Sequence, residues 1–541
     1  MLIARLTKIA TISWLISFLA GCGGGGSANQ AQEALQSVDT SVVTPRDPGS
    51  SLPVDWRNGV FMQIFVRSYQ DSNGDGIGDL KGLISRLDYL KTLGISGIWL
   101  MPIHPSQDRD HGYAVKDYRE VATEYGSLAD LDELLTQAHM RGIGVVLDYV
   151  INHSAATHPA FVNSKNSASN DFRDWYIWQN SAPSGWSIYG ANPWYSTSSG
   201  AYFAGFGGQM PDFNLKTPNV ISWHQDNLRF WLNRGVDGFR FDAVGNLVEN
   251  GASAWENQPE NHSVMAGVQA VVSGYQNRFI VCEAPALPQR YAMSDSCGRS
   301  FAFDYHNSLV SAIQGNVNDV STLANYWLTA PDGMAGFASN HDSFAGQRLA
   351  DQLNSDPDRM RLVAATYLLQ SRSPFIYYGE EIGMKGASNL YGDPKLRTPM
   401  SWTSNVTHAG FSTVQPYRSL SANSISVNVS TQDGDLTSLL NFYRDTIALR
   451  QSLPSLQKGT YVNPQANGDL MAFHRTFGNE RAVVLFNYAS SPQSLSVSGL
   501  SANSVLERKW PHSSGDVTAN SSGVASISLP AKSFAVFKSV V

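Results

Sequence analysis

The sequence predicts an α/β protein, a (β/α)8 barrel with a subdomain inserted after its third strand and an all-β domain at the C-terminus. Three observations lead there. From Val60 onward, short apolar runs alternate with leucines at helical spacing, and strand followed by helix, repeated, implies parallel strands. Eight such runs can be counted before residue 380. Four of them end in Asp, Glu, His or Arg rather than in the Gly, Pro or Asn of ordinary turns, and the C-terminal mouth is where parallel barrels hold their chemistry.

Residues 1–22 carry basic Arg5 and Lys8, then IATISWLISFLA, an export signal too short to span a bilayer. Its LAGC ending resembles a bacterial lipobox, which would make Cys22 the lipidated N-terminus; a secretory signal with an incidental Cys is the alternative. Glycine after Cys22 suits outer-membrane sorting by analogy with Gram-negative lipoproteins. Residues 23–52, from GGGGSANQ to TPRDPGSS, lack aromatics and periodicity and read as a flexible tether. The barrel with its insertion is then expected over 53–453.

VFMQIFV is the first strand, and Leu80, Leu83, Ile84, Leu87 and Leu90 mark the first helix. ISGIWLMP, the helix of Leu128, Leu131, Leu134 and Leu135, and IGVVLDYV follow. After His153 the pattern breaks for about 60 residues rich in Ser, Asn, Gly and Trp, so a subdomain is expected over about 154–214. The helix from Trp223 to Asn233 resumes the pattern. Strands ending at Asp242 and Glu283, FAFD near 301, the run before Asp342 and PFIYYG near 374 complete it. Beyond the helix Leu436 to Arg450, LMAFHRTF, RAVVLFNYA and SFAVFKSVV predict an antiparallel β domain over 454–541.

At 541 residues, 42% hydrophobic and with a net charge of −7, the chain suits a globular enzyme with a neutral ligand and disfavours nucleic acid. Thirteen Trp and 22 Tyr would suit the apolar faces of sugars, though most will be core.

In GVDGFRFDA, alternate side chains place Arg240 and Asp242 on one face and Phe239 and Phe241 on the other. The ionic face belongs at the barrel mouth and the aromatic face against the helices. DYVINH places Asp148, Asn152 and His153 at a strand end, FIVCE places Glu283, and FASNHD places His341 and Asp342. With MPDFN at 210–214, these stretches in this order resemble the signature regions of the α-amylase family of glycoside hydrolases, over about residues 55–541.

That resemblance implies a retaining glycosidase, in which a nucleophilic carboxylate and an acid/base carboxyl stand about 5–5.5 Å apart. It makes Asp242 the nucleophile, Glu283 the acid/base and Asp342 the third carboxylate, which grips ring hydroxyls. His153 and His341 match sugar-contacting histidines, and Tyr113 in HGYAVKDY the tyrosine stacked beneath the sugar. Arg240 should hold Asp242 ionised, whereas apolar neighbours and other carboxylates favour protonated Glu283. The substrate implied is starch or maltooligosaccharides, cleaved at α-1,4 bonds; an α-glucosidase or transglycosylase on short oligosaccharides is the alternative. A glucan-capturing lipoprotein on a degenerate barrel is disfavoured because all three carboxylates are present. Gly245 and Asn246 stand where many starch-hydrolysing members carry Lys-His, a departure in the leaving-side contacts; Ala114 stands where many exo-acting relatives have an Asp, and losing that carboxylate leans towards internal cleavage. RTPMSW at 397–402 instead resembles oligosaccharide-specific α-glucosidases.

DSNGDGIGD offers oxygens at Asp71, Asn73, Asp75 and Asp79, with the Ile77 carbonyl, a density that suits Ca²⁺. Gly82 at the twelfth position from Asp71 rules out an EF-hand, but the loop looks like the calcium loop of several α-amylase relatives. The alternative is a turn in which Asp79 caps the next helix, which is compatible with bound calcium; calcium is the expectation. Asn152 is a weaker second calcium candidate by the same resemblance. Cys282 and Cys297 could bridge or remain thiols.

Overall fold

The computed structural model describes residues 36–512 and 514–540. The export signal, Cys22 and residues 23–35 lie outside the described residues.

Eight parallel strands form one sheet: β1 (Val60–Ile64), β2 (Ile95–Leu100), β3 (Gly144–Tyr149), β4 (Gly238–Phe241), β5 (Phe279–Cys282), β6 (Ser300–Phe301), β7 (Met334–Ala335) and β8 (Phe375–Tyr377). The order is β7-β6-β5-β4-β3-β2-β1-β8, and a single parallel bridge from Phe337 to Phe375 joins β7 to β8 and closes the ring. Asp342 therefore lies on a loop seven residues past β7 rather than at a strand end.

The helices form where apolar spacing predicts them. Leu128–His139 buries Leu131, Leu134, Leu135 and Ala138 at i, i+3, i+4 and i+7, and starts with a capping box between Ser127 and Asp130. The first predicted helix is two, Leu80–Ser85 and Leu87–Leu93, meeting at Arg86. Inside the ring, the sheet's inner face is filled by Phe61, Trp99, Phe279, Phe301, Phe337 and Phe375 with Trp56 and Phe303. Phe239 and Phe241 join the outer core with Trp231 and Leu232, so the two faces of β4 part as alternation requires.

The insertion after β3 holds a helix, Pro159–Asn166, and an antiparallel sheet of Trp178–Gln179, Gly200–Phe203 and Trp194–Thr197. Ile188, Trp194, Ala201 and Phe203 give it a small core of its own. At the C-terminus, a six-stranded sheet runs from Thr460 to Val540, and a two-stranded sheet, Gln493–Val497 with Ala525–Leu529, lies against it. Along Leu470–Phe477, Met471 and Phe473 face the barrel core while Leu470 and Ala472 face the second sheet.

One boundary changes. Residues 36–52, read as part of the tether, are tied to the barrel. Asn163 exchanges hydrogen bonds with Gln36 (2.9 and 2.8 Å), and Arg119 holds Asp39 and Ser41 at 2.9 and 2.7 Å. The Trp223 indole donates to the Asp39 carbonyl at 2.9 Å, and Arg278 to the Gly49 carbonyl at 2.8 Å. An extended strap whose backbone is satisfied by distant side chains leaves no periodic trace in sequence.

Candidate active site

Arg240, 1% exposed, is the centre of the barrel mouth. Its guanidinium donates to Asp148 at 2.8 Å, to Asp242 at 2.8 Å and to Glu283 at 2.5 Å. Strands β3, β4 and β5 are neighbours, with Asp148 opposite Arg240 in register, so one fork can reach three carboxyls from adjacent strands. Gly238 permits this spacing, because a Cβ there would collide with the Phe279 backbone. The Trp99 ring lies 5.0 Å beneath the guanidinium, and its indole donates to Asp148 at 3.1 Å. Asp148 was placed at a strand end by sequence without a role; here it anchors the arginine.

Burial pushes the Asp242 carboxyl up to about 6, with Arg240 opposing the rise and Asp148 adding to it. Burial pushes Glu283 further, to about 8, again opposed by Arg240 and aided by Asp242 and Asp342. The expectation for Glu283 agrees in direction. For Asp242, burial outweighs the arginine, which pairs with both acids instead of favouring one. Between these values, the nucleophile candidate is ionised while the acid candidate keeps its proton.

Tyr113, His153 and Asp342 join Asp242 and Glu283 on the wall of one cavity of about 520 Å³, whereas His341 is fully buried and off that wall, bonded to Tyr113. Gln63 donates to His341 Nδ1 at 2.6 Å, which leaves the ring proton on Nε2, 2.7 Å from the Tyr113 hydroxyl and 3.0 Å from Asp342. Burial keeps His341 well below its ordinary value and takes His153 down to about 3, so both rings are neutral. His153 lies on the cavity wall with its Nε2 buried.

Arg397, from the long segment after β8, donates to Asp342 at 2.7 Å and to the His341 carbonyl at 3.1 Å. Next to it, Arg418 pairs with Asp110 at 2.5 Å. Sequence reading missed Arg397, Arg418 and Asp110 as site residues. RTPMSW was a signal for the first; nothing local marked the pairing of positions 110 and 418.

Cys282 and Cys297 form a disulfide, directly before Glu283. The loop 71–79 is a self-satisfied turn. Asp71 accepts from the amides of Asn73, Gly74 and Gly76 and from the Ser412 hydroxyl, and Asp79 caps the helix through Gly82. Asn73 and Asp75 are exposed, and among the described residues no three of His, Cys, Asp or Glu are grouped to hold a metal.

The model of the alpha amylase catalytic domain matches residues 63–459. The chain belongs to the α-amylase family. It is an α-amylase family glycoside hydrolase, 33% identical over 499 residues to a probable alpha-glucosidase of Rhizobium meliloti, covering 80% of this chain and 89% of that one. Alpha-amylase 3 of Dictyoglomus thermophilum is 31% identical over 442 residues, covering 80% and 85%. Among solved structures, trehalulose synthase from Pseudomonas mesoacidophila superposes with a TM-score of 0.77 at 27% identity, covering 90% of this chain and 99% of that one.

Proposed function

We propose that this α-amylase family enzyme hydrolyses α-1,4-glucosidic bonds in short maltooligosaccharides, with retention and from the non-reducing end. Asp242 attacks the anomeric carbon as Glu283 protonates the departing oxygen, giving a covalent glucosyl ester; Glu283 then deprotonates water, which releases the sugar. Asp342 grips ring hydroxyls, Tyr113 and His153 line the same sugar, and His341 holds Tyr113. The observation that carries the exo reading is the linked wall Asp342–Arg397–Arg418–Asp110, in which the Arg418 guanidinium also reaches the Arg397 carbonyl at 3.5 Å. Asp342 and Arg397 line the cavity, and on this reading the linked residues end the site beyond the sugar held by Asp342. Asp110 supplies a carboxylate four residues before Ala114, offsetting the lean towards internal cleavage.

Internal cleavage of starch is the second reading, supported by Ala114 itself and by the likeness to an alpha-amylase. Time-resolved products from maltoheptaose separate them: glucose from the first turnover supports the proposal, and mid-length products support the second reading. NMR should show the α-anomer first; β first overturns retention. Asp242→Asn should lose activity by orders of magnitude on every substrate.

We propose also that Ca²⁺ binds the 71–79 loop for stability alone. The support is four carboxylate or amide side chains within nine residues, at Asp71, Asn73, Asp75 and Asp79. Chelation should then lower the melting temperature of wild type but not of Asp75→Ala; an unmoved wild-type curve rejects the site. Cys22 is proposed as a lipid anchor on the strength of LAGC, and Cys22→Ser should move the protein from the membrane to the soluble fraction.

A further inference from the structure

The tip of the inserted subdomain is a tight turn in which Ile188 and Ala191 exchange backbone hydrogen bonds of 2.8 and 2.9 Å. Its two central residues, Tyr189 and Gly190, have φ of +49° and +86°. Turns of this kind favour Asn-Gly or Gly-Gly, because a side chain at positive φ crowds its own backbone, and a bulky aromatic is especially unsuited. Tyr189 nevertheless occupies the first position, 70% exposed, with its ring on the wall of the catalytic cavity.

The ring has a defined setting. It stands 5.5 Å from Trp255, nearly perpendicular at 80°, and 6.0 Å from Phe206. Phe206 in turn lies 5.4 Å from His153. Trp255 comes from the segment after the nucleophile strand and packs against the subdomain's small core. An aromatic rim thus runs from the sugar-binding histidine to the far side of the cavity. On that wall Gly245 carries no side chain, the Asn246 side chain hydrogen-bonds the Tyr189 hydroxyl, and Ala284 sits beside the acid/base. Arg397 lies elsewhere on the cavity wall, paired with Asp342.

We propose that Tyr189 is a specificity-determining residue for the leaving group: its ring is the platform for the sugar that departs when Glu283 delivers its proton. The inference rests on the glucosidase reading above. A pyranose presents an apolar C–H face to an aromatic ring, and a ring held out at a strained turn by Trp255 and Phe206 is pre-positioned to receive it.

Kinetics of wild type, Tyr189→Ala, Tyr189→Asn and Tyr189→Phe on maltotriose and on α-glucosyl fluoride test this. Fluoride leaves without filling the space of a sugar. Tyr189→Ala and Tyr189→Asn should lower kcat/KM on maltotriose by roughly threefold to tenfold, the range of one lost aromatic contact, with the fluoride unchanged. Tyr189→Phe should keep wild-type values. Asn suits the turn, so Tyr189→Asn should melt no lower than wild type, which separates lost contact from lost fold. Equal losses on both substrates, or no loss on maltotriose, overturn the proposal. A wild-type enzyme that cleaves neither substrate overturns the glucosidase reading and the proposal with it.

Discussion

Arg240 shows how one residue sets the conditions for two others. By holding Asp242 and Glu283 at once it keeps two carboxyls close while leaving burial to separate their titrations, near 6 and near 8. Below about 6 the nucleophile gains a proton and cannot attack; above about 8 the acid loses the proton that the leaving oxygen needs. A plot of kcat/KM against pH should therefore be a bell with limbs near those values. Glu283→Gln measured on α-glucosyl fluoride should lose the alkaline limb of ester formation, because that leaving group needs no acid. A limb that persists in the variant assigns it elsewhere. At this scale the sequence was most legible: Asp242, Glu283, Asp342, Tyr113, His153, Arg240 and His341 share one site because each sits in a short ordered stretch. Arg397 and the Asp110–Arg418 pair were not legible, since their partners lie 55 and 308 positions away.

Elements carry the site through two tethers. The Cys282–Cys297 disulfide links the end of β5 to the segment before β6. Closing a loop of this size limits the unfolded chain, by about 3 kcal/mol in the entropic model. The double Cys→Ala variant should melt lower by several degrees and lose kcat, because Glu283 follows the bridge directly. Wild type treated with dithiothreitol should do likewise, and activity insensitive to both changes would confine the bridge to stability. The strap 36–52 is the second tether. Arg119→Ala removes donors from Asp39, Ser41 and Asn227, and lost charged hydrogen bonds with a stranded acceptor cost about 1–3 kcal/mol. Urea unfolding should show that loss, with KM unchanged. Strand and helix positions were readable because their apolar periods are local. The strap was not, because the donors that fix it belong to other elements.

The barrel at the heart of the described residues is a ring of unequal strength. From β8 round to β5 the strands pair over several residues each, whereas β5 meets β6 at one register pair, β6 meets β7 at two, and a single bridge completes the circle. The sequence announced eight strands and a C-terminal sheet, yet FAFD and the run before Asp342 looked as substantial as the others, since apolar character does not reveal how many backbone bonds a segment makes. This thin arc has a consequence for exchange with solvent. Amides of Ala302 and Phe375, whose acceptors lie across the arc at Ala335 and Gly336, should exchange with deuterium sooner than the Gly97–Leu100 ladder between β2 and β3. A bound sugar touching Glu283 on one side of the arc and Asp342 and Arg397 on the other would act as a clasp. In Asp242→Asn soaked with maltotriose, protection should therefore rise at Ala302 and Phe375 and stay level at Gly97–Leu100; uniform protection would mean that the ring opens only as a whole.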